Sequence, residues 1–581
     1  VDSIHFNKKS RKDLLKDGTR LFYQILPNAR DKNCTTSLLH GVSAFPLTRA
    51  IQTNAILPFA LFFAALFSPA TLAQETTLQV GVVQRFGDEP TDVLTLSSSP
   101  GGALTLTFLD GTGQPQTLTT NNVKLEISAQ PQREPVLQEW IVLSDRATFE
   151  TAEATAQEWQ KKGIEVEITQ PGRWQVWAKR DVYTTPLLRR LLLGNLKAQG
   201  ETEPYLQTQL LPAKPKVSFV LGGYRYNRDE IEIRAGNNAI RVGEGNPPQK
   251  SYLYGGSLKI QPNAYGNFTL VNRVPVETYL RGVVPHEIGA SSPYASIEAQ
   301  AILARTYALR NLRRFKADNY QLCATVHCQV YRGLSGTAAA TDRAIANTQG
   351  QVLTYNGELI DALYSANSGG VTAPFTDIWD GAERPYLQGK IDSPQPPWDL
   401  SAQSLSDETA FRRFIALKEG FNGNSGNAFR WDKSRTLEEL TDDLNRYLQR
   451  IKHPFGTVNR ILKLEVTARS PSGRILTLTV QTDKGAIELQ KTEARSAFEP
   501  PRSTLFYLDP IIGADRTLKG YRFIGGGFGH GVGMSQYGSY NLANLGWTSR
   551  KILAFYYPET QLEPLSESII FYRSDGERTK E

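Results

Sequence analysis

The carboxylate best placed to act as an acid in this chain is Glu287. In Arg281-Gly282-Val283-Val284-Pro285-His286-Glu287-Ile288 it ends an apolar run. A carboxyl group with apolar neighbours is pushed towards its neutral form, so it can donate a proton near neutral pH. A second segment, Gly525 to Tyr540, holds six glycines in the nine positions 525–533. Such a backbone can approach a ligand closely, with His530, Ser535 and Gln536 supplying polar atoms beside it. A tight turn leading into a helix is the other reading. A third, Cys323-Ala324-Thr325-Val326-His327-Cys328, brings two thiols and an imidazole together. Zinc would accept Cys323, His327 and Cys328 as ligands, with Asp318 or His286 as candidates for a fourth. A Cys323–Cys328 disulfide is the alternative in an oxidising compartment.

These groups need elements to position them. Pro285 is expected to stop regular structure just before Glu287. Ser292 and Pro293 then open a helix through Arg310, with Ile297, Ala301, Ala304 and Ala308 on one face. Gln300 and Arg305 are awkward on so apolar a helix and are expected to reach towards a cleft, a structural salt bridge being the alternative for Arg305. His286, Tyr331 and the hydroxyl-rich turn Tyr364-Ser365-Ala366-Asn367-Ser368-Gly369-Gly370 join the substrate-binding candidates, through Ser365, Ser368 and Gly369. Trp379 is placed to stack on a sugar face. Asp377, Asp380 and Asp392 read as turn residues. Of the four His after residue 73, only His453 lies outside these motifs, which favours a single polar cleft.

At 581 residues the chain is long enough for two or three domains, and 40% hydrophobic with 21% charged residues is a globular composition. The net charge of +7 is concentrated before residue 74, where nine Lys and Arg face four Asp. The rest carries no basic run interleaved with aromatics, which argues against nucleic acid as a partner. The uncharged run Ala55–Phe67, preceded by Arg49 and followed by Ser68-Pro69-Ala70-Thr71-Leu72-Ala73, has the layout of a secretory signal cleaved after Ala73. It is short for a membrane span, so a membrane is met only through this segment if it stays uncleaved. A periplasmic or secreted product is expected. The only Met is Met534, and translation is expected to start near Val42 or Leu47. Export removes Cys34 and leaves an even pair of cysteines. No P-loop ending, G-x-S-x-G elbow or H-E-x-x-H is present, which disfavours nucleotide chemistry and serine or zinc proteolysis.

The chain reads as α+β, with mixed, mainly antiparallel sheets and packed helices forming a cleft. Residues 1–73 form the extension and signal. Residues 74–135 alternate as a small β region. Residues 136–211 follow as strand, helix, two strands and helix, with Thr185 and Pro186 opening the second helix. Leu211 to Lys216 reads as a stiff connector. Residues 217–575 form the main domain, with a helical insertion over about 404–451 carrying Leu437, Leu440, Leu444 and Leu448 at helical spacing.

Taken in order, YLRGVVPHEI, IEAQAILARTYAL, CATVHCQVYRGL, YSANSGG and GFGHGVGMSQYG followed by LGWTSRKILAFYYPET resemble the stage II sporulation protein D family, also called the amidase-enhancer family. The resemblance spans about residues 217 to 565. LQVGVV near Leu78 is similar to the family's opening strand and would pair into the same core. Family enzymes are lytic transglycosylases that cut between N-acetylmuramic acid and N-acetylglucosamine in peptidoglycan freed of stem peptides. The resemblance makes Glu287 the single catalytic acid, makes peptidoglycan strands the partner and leaves zinc as the one implied cofactor. The alternative it implies is a non-catalytic wall-binding protein that activates an amidase. His286 stands where Ser is frequent, and Ala366-Asn367 where Thr or Ser is common. Residues 136–211 resemble the sporulation-related repeat that grips bare glycan, in element order and in the Gly163 and Trp174 setting, although a generic α+β decoration has the same order.

Overall fold

The computed structural model describes residues 76–425 and 428–574. The Ala55–Phe67 run, the cleavage position after Ala73, Cys34 and the start near Val42 or Leu47 lie outside the described residues. Among the described residues, no helix is long and apolar enough to cross a membrane.

Alternating burial builds the first sheet: in Thr77–Phe86, Leu78 and Val80 point inward while Thr77 is exposed. That strand lies between Leu322–Cys323, which it meets in parallel, and Phe268–Pro275, its antiparallel partner. The sheet continues through Ser257–Pro262, Ile231–Ala235, Leu104–Leu109 and Pro115–Thr120. LQVGVV thus enters the same core as the helix that ends in Glu287. The architecture is α+β with mainly antiparallel sheets, as the sequence indicates.

A second sheet is organised by two long strands, Asn122–Arg146 and Tyr205–Leu221, paired antiparallel from Glu126 opposite Ser218 to Val142 opposite Tyr205. Leu211–Lys216 is therefore strand and not connector. Its prolines are tolerated because residues 205–216 have a strand partner on one side only, and an edge leaves a missing N–H without consequence. The helices Phe149–Lys161 and Pro186–Ala198 are capped by Thr148 and, as expected, Thr185. Trp174 packs 5.1 Å from both Phe149 and Phe315, so this region shares a core with the chain beyond it.

The helix Val276–Glu287 continues through Pro285 instead of stopping before it. A proline there removes one helical hydrogen bond, to the Arg281 carbonyl, but only in the final turn where few such bonds remain. Gly289, at φ +85°, ends the helix in the left-handed region that favours glycine. Gly282 is required on the packed side, because a Cβ there would lie 2.2 Å from the Gly333 carbonyl oxygen. The next helix, Tyr294–Arg310, starts from Pro293 without a side-chain cap. The Ser292 hydroxyl instead donates to the Ile288 carbonyl at 2.6 Å. From Ala299 to Arg310 every residue of this helix is buried, and its alanines allow neighbours to close in from several sides.

The insertion is broader than a helical excursion. Glu408–Ala416 and Leu437–Arg450 flank the strand Arg430–Thr436, and the second helix starts from a Thr436/Glu439 capping box. Leu440, Leu444 and Leu448 pack with Ile461, Leu478, Val480, Phe506 and Phe523 in a core of their own. The strand Leu518–Gly526 then delivers the chain directly to the glycine segment.

Candidate active site

Glu287 is the last residue of its helix, and the end of that helix is held by another. The Glu287 carbonyl accepts from Gln536 Nε2 at 3.0 Å, and the Ile288 carbonyl from Tyr540 Oη at 2.7 Å. Both donors belong to the helix Gln536–Asn544, so orphan carbonyls of one helix end are capped by side chains of the next. The Glu287 side chain is half-buried. Its Oε1 accepts from the Val330 N–H at 2.6 Å, and the nearby Tyr364 hydroxyl also favours the ionised carboxyl. Tyr364 in turn accepts from Gln329 Nε2 at 3.1 Å, and Gln329 Oε1 accepts from Tyr279 Oη at 3.1 Å. Burial pushes the Glu287 carboxyl up to about 7, opposed only in part by Val330 and Tyr364. The negative end of the helix dipole disfavours the ionised form as well. Among the described residues no Lys, Arg or His pairs with this carboxyl.

Tyr364 also links the acid to the glycine segment. Tyr364–Ser365 lies parallel to Met534–Ser535, and Asn367 bridges Phe528. Tyr364 lies near both residues, its hydroxyl favouring the ionised Glu287 carboxyl and its backbone the charged His530 ring. Tyr364 was absent from the substrate-facing candidates, although its place at the head of YSANSGG was visible. His530 Nδ1 accepts from the Val532 N–H at 3.0 Å, which assigns the ring proton to Nε2. Burial, together with Arg495, pushes His530 down to about 3, which favours the neutral ring. The glycines are explained by the protein itself. A Cβ on Gly531 would lie 2.2 Å from Arg474 Nη2, and one on Gly533 would lie 2.0 Å from the Leu363 carbonyl oxygen. The close approach is between chain segments, and the segment does lead into a helix.

Gln536 joins the site, its Nε2 also donating to Gln300 Oε1 at 3.2 Å, and Gln300 is fully buried beneath it. Ser365 Oγ accepts from the Gly531 N–H, Ser368 Oγ donates to Asp392 at 2.6 Å, and Ser535 caps its helix by accepting from the Gly538 N–H. Gly369 sits at φ +74°, its N–H bonded to Asn367 Oδ1. The two segments are joined by the Ser365 bond to Gly531 and by the Ser368 N–H, which donates to Ser535 Oγ at 3.3 Å.

Other candidates are placed elsewhere. Arg305 is fully buried in a fork with Glu277 at 2.7 Å and does not reach a cleft, because an unpaired guanidinium cannot be left in that core. Tyr331 is 2% exposed and donates to Asn272 Oδ1, making it a core residue and not a substrate contact. Trp379 is 6% exposed, packed 5.2 Å from Phe375 and 5.1 Å from His530, and offers no free face to a sugar. His286 Nε2 is bound to the Ser335 carbonyl at 2.8 Å. Cys323 and Cys328 form a disulfide, which leaves no thiolate for zinc, and His327 is exposed. Among the described residues no group of three His, Cys, Asp or Glu suits a metal, so the implied zinc does not fit. The disulfide closes the loop just before Val330, the donor to Glu287.

With this geometry in place, comparison with known proteins is informative. Residues 264–355 match the family described as "Stage II sporulation protein", and residues 373–533 match a domain of unknown function. The chain is 29% identical over 357 residues to the amidase enhancer of Bacillus subtilis, covering 53% of this chain and 47% of that protein. It is 29% identical over 310 residues to stage II sporulation protein D of the same organism, covering 50% and 75%. A Brachyspira hyodysenteriae protein without an assigned role is 26% identical over 315 residues, covering 52% and 70%. The chain thus spans about half the length of the amidase enhancer it matches.

Proposed function

We propose that this chain, which carries a stage II sporulation protein domain, is an exported peptidoglycan-remodelling lytic transglycosylase that cuts denuded glycan between muramyl and glucosaminyl units. The observation that carries this reading is the Glu287 carboxyl, raised to about 7 and free of any cation partner among the described residues. Protonated, it delivers its proton to the leaving glycosidic oxygen. The negative end of its helix faces the positive charge that develops at the anomeric carbon. As carboxylate it then takes the proton of the muramyl 6-hydroxyl, which closes on that carbon and leaves an anhydro end. One carboxyl suffices for this scheme, whereas hydrolysis uses two flanking the bond. The nearby acids are engaged: Asp377 by Ser472, Asp380 by Lys491, and Asp392 by Ser368, Asn422 and Tyr556.

The name of the Bacillus amidase enhancer favours a second reading, a non-catalytic wall-binding protein that activates an amidase. Mass spectrometry of denuded peptidoglycan digested by the purified chain separates the two. Anhydro-muramyl ends are expected, one water lighter than reducing ends, and intact strands would leave only the activator reading.

A further inference from the structure

Two guanidinium groups border the site without the partners that buried cations require. Arg474 is fully buried at the start of an insertion strand. Its Nη2 donates to the Ser368 and Val371 carbonyls at 2.8 and 2.9 Å, but Nε and Nη1 are buried without any hydrogen-bond partner. It lies against Gly531, next to His530 in the chain, where only a glycine fits. The nearest carboxylate in its surroundings, Asp377, accepts from Ser472 Oγ at 2.5 Å and makes no hydrogen bond to Arg474. Arg495, on the short helix Thr492–Ser496, keeps partial exposure and has no hydrogen bond or ion pair among the described residues. Burial alone holds its guanidinium below the usual range, and burial lowers Arg474 to about 10. The helix of Arg495 follows Lys491, whose Nζ donates to the Trp379 carbonyl at 2.9 Å, and Trp379 packs 5.1 Å from His530, which brings this helix towards the segment that Arg474 lies against. Unlike the two arginines, Lys491 is spent on Asp380 and the Trp379 carbonyl.

Uncompensated positive charge in a dry setting is unfavourable, and a bound anion removes that cost. We propose that Arg495, backed by Arg474, forms an anion subsite beside the Glu287 site that takes a carboxylate of the glycan strand. The proposal rests on the glycan reading above, and the chemistry of that substrate supplies the anion. A stem peptide is attached through an amide at the lactyl carboxyl of the muramyl unit. Its removal leaves a free carboxylate on each such unit, whereas an intact stem blocks it. The guanidinium fork matches a carboxylate in geometry as well as charge. Both arginines lie within residues 373–533, the region that matches a domain of unknown function.

The test uses the whole chain and two probes: denuded glycan strands, and the same strands methyl-esterified at the lactyl carboxyls. The wild type is expected to show a KM about 10-fold lower for the free-carboxylate strands, the scale of one hydrogen bond to a charged group, with little change in kcat. Arg495→Ala should abolish that preference by raising KM on the free-carboxylate strands alone, and Arg495→Lys should restore part of it. Cosedimentation of Glu287→Gln with both strands reads the same preference without turnover. Equal affinity of the wild type for the two strands, or a preference that survives in Arg495→Ala, overturns the subsite. Carboxylate-dependent binding without cleavage would keep the subsite and remove the enzyme, and binding to neither strand would overturn both.

Discussion

Glu287 and Asp361 are both carboxyls sunk into the molecule, and their surroundings drive them in opposite directions. At Asp361 burial would raise the carboxyl, but Arg310 and Arg384, each within 2.6 Å, hold it well below the usual carboxylate range. At Glu287 the close partners among the described residues are the neutral Val330 N–H and Tyr364 hydroxyl, and burial prevails. Burial alone therefore does not make an acid. The absence of a cation does, and the sequence helps here, since Gly282 to Pro285 carry no charge, while Arg281 pairs with Asp342 and His286 turns to Ser335.

The contrast breaks most directly at Glu287. Glu287→Gln keeps the shape and the Val330 contact but removes the proton donor, so release of anhydro-muramyl products should fall by at least about 100-fold. Binding to denuded glycan should persist in a sedimentation assay. Undiminished product release would remove Glu287 from the chemistry.

The same substitution at the other carboxyl should act on stability. Asp361→Asn removes from both Arg310 and Arg384 a carboxylate that each holds at 2.6 Å. A loss of about 3 kcal/mol or more is expected in chemical denaturation, with activity per folded molecule retained. Glu287→Gln should do the reverse. The folded protein holds the Glu287 proton between pH 4.5 and about 7, where the unfolded chain releases it. Stability contributed by this group therefore falls as pH rises through that window, and the full cost remains above it. The variant should gain at most about 3 kcal/mol at pH 8 and nothing at pH 4. A loss at pH 8 that shrinks at pH 4 would show that Glu287 is ionised and paired.

The helix Tyr294–Arg310 was legible because the Ser292-Pro293 boundary is a local signal, whereas the helix that ends in Glu287 was not, since Pro285 marks a stop that the chain passes through. The order of elements over residues 136–211 was legible from local signals too. Three features depend on distant chain and leave no local trace. Tyr364 meets Glu287 only because its strand pairs with Met534–Ser535. Arg305 looked like a cleft residue because Glu277, its partner, lies on another helix. The insertion read as helical because its helix shows a strong 3.6-residue period, while the strands that complete its core carry ordinary alternation. The glycine segment taught the opposite lesson: its spacing did announce close approach, but spacing cannot say whether ligand or protein comes near.

The smallest expected effect isolates the hydroxyl that tunes the acid. Tyr364→Phe removes a donor that favours the ionised carboxyl, so the Glu287 pKa should move further up. The alkaline limb of kcat/KM, which falls as the acid deprotonates above about 7, should then shift to higher pH by less than about one unit. Tyr386→Phe provides the matched control at the other carboxyl, since the Tyr386 hydroxyl lies beside Asp361 as Tyr364 does beside Glu287. There two arginines dominate, and the limb should not move. A shift to lower pH in Tyr364→Phe would mean that the hydroxyl accepts from a protonated Glu287, with the relay from Tyr279 through Gln329 running the other way.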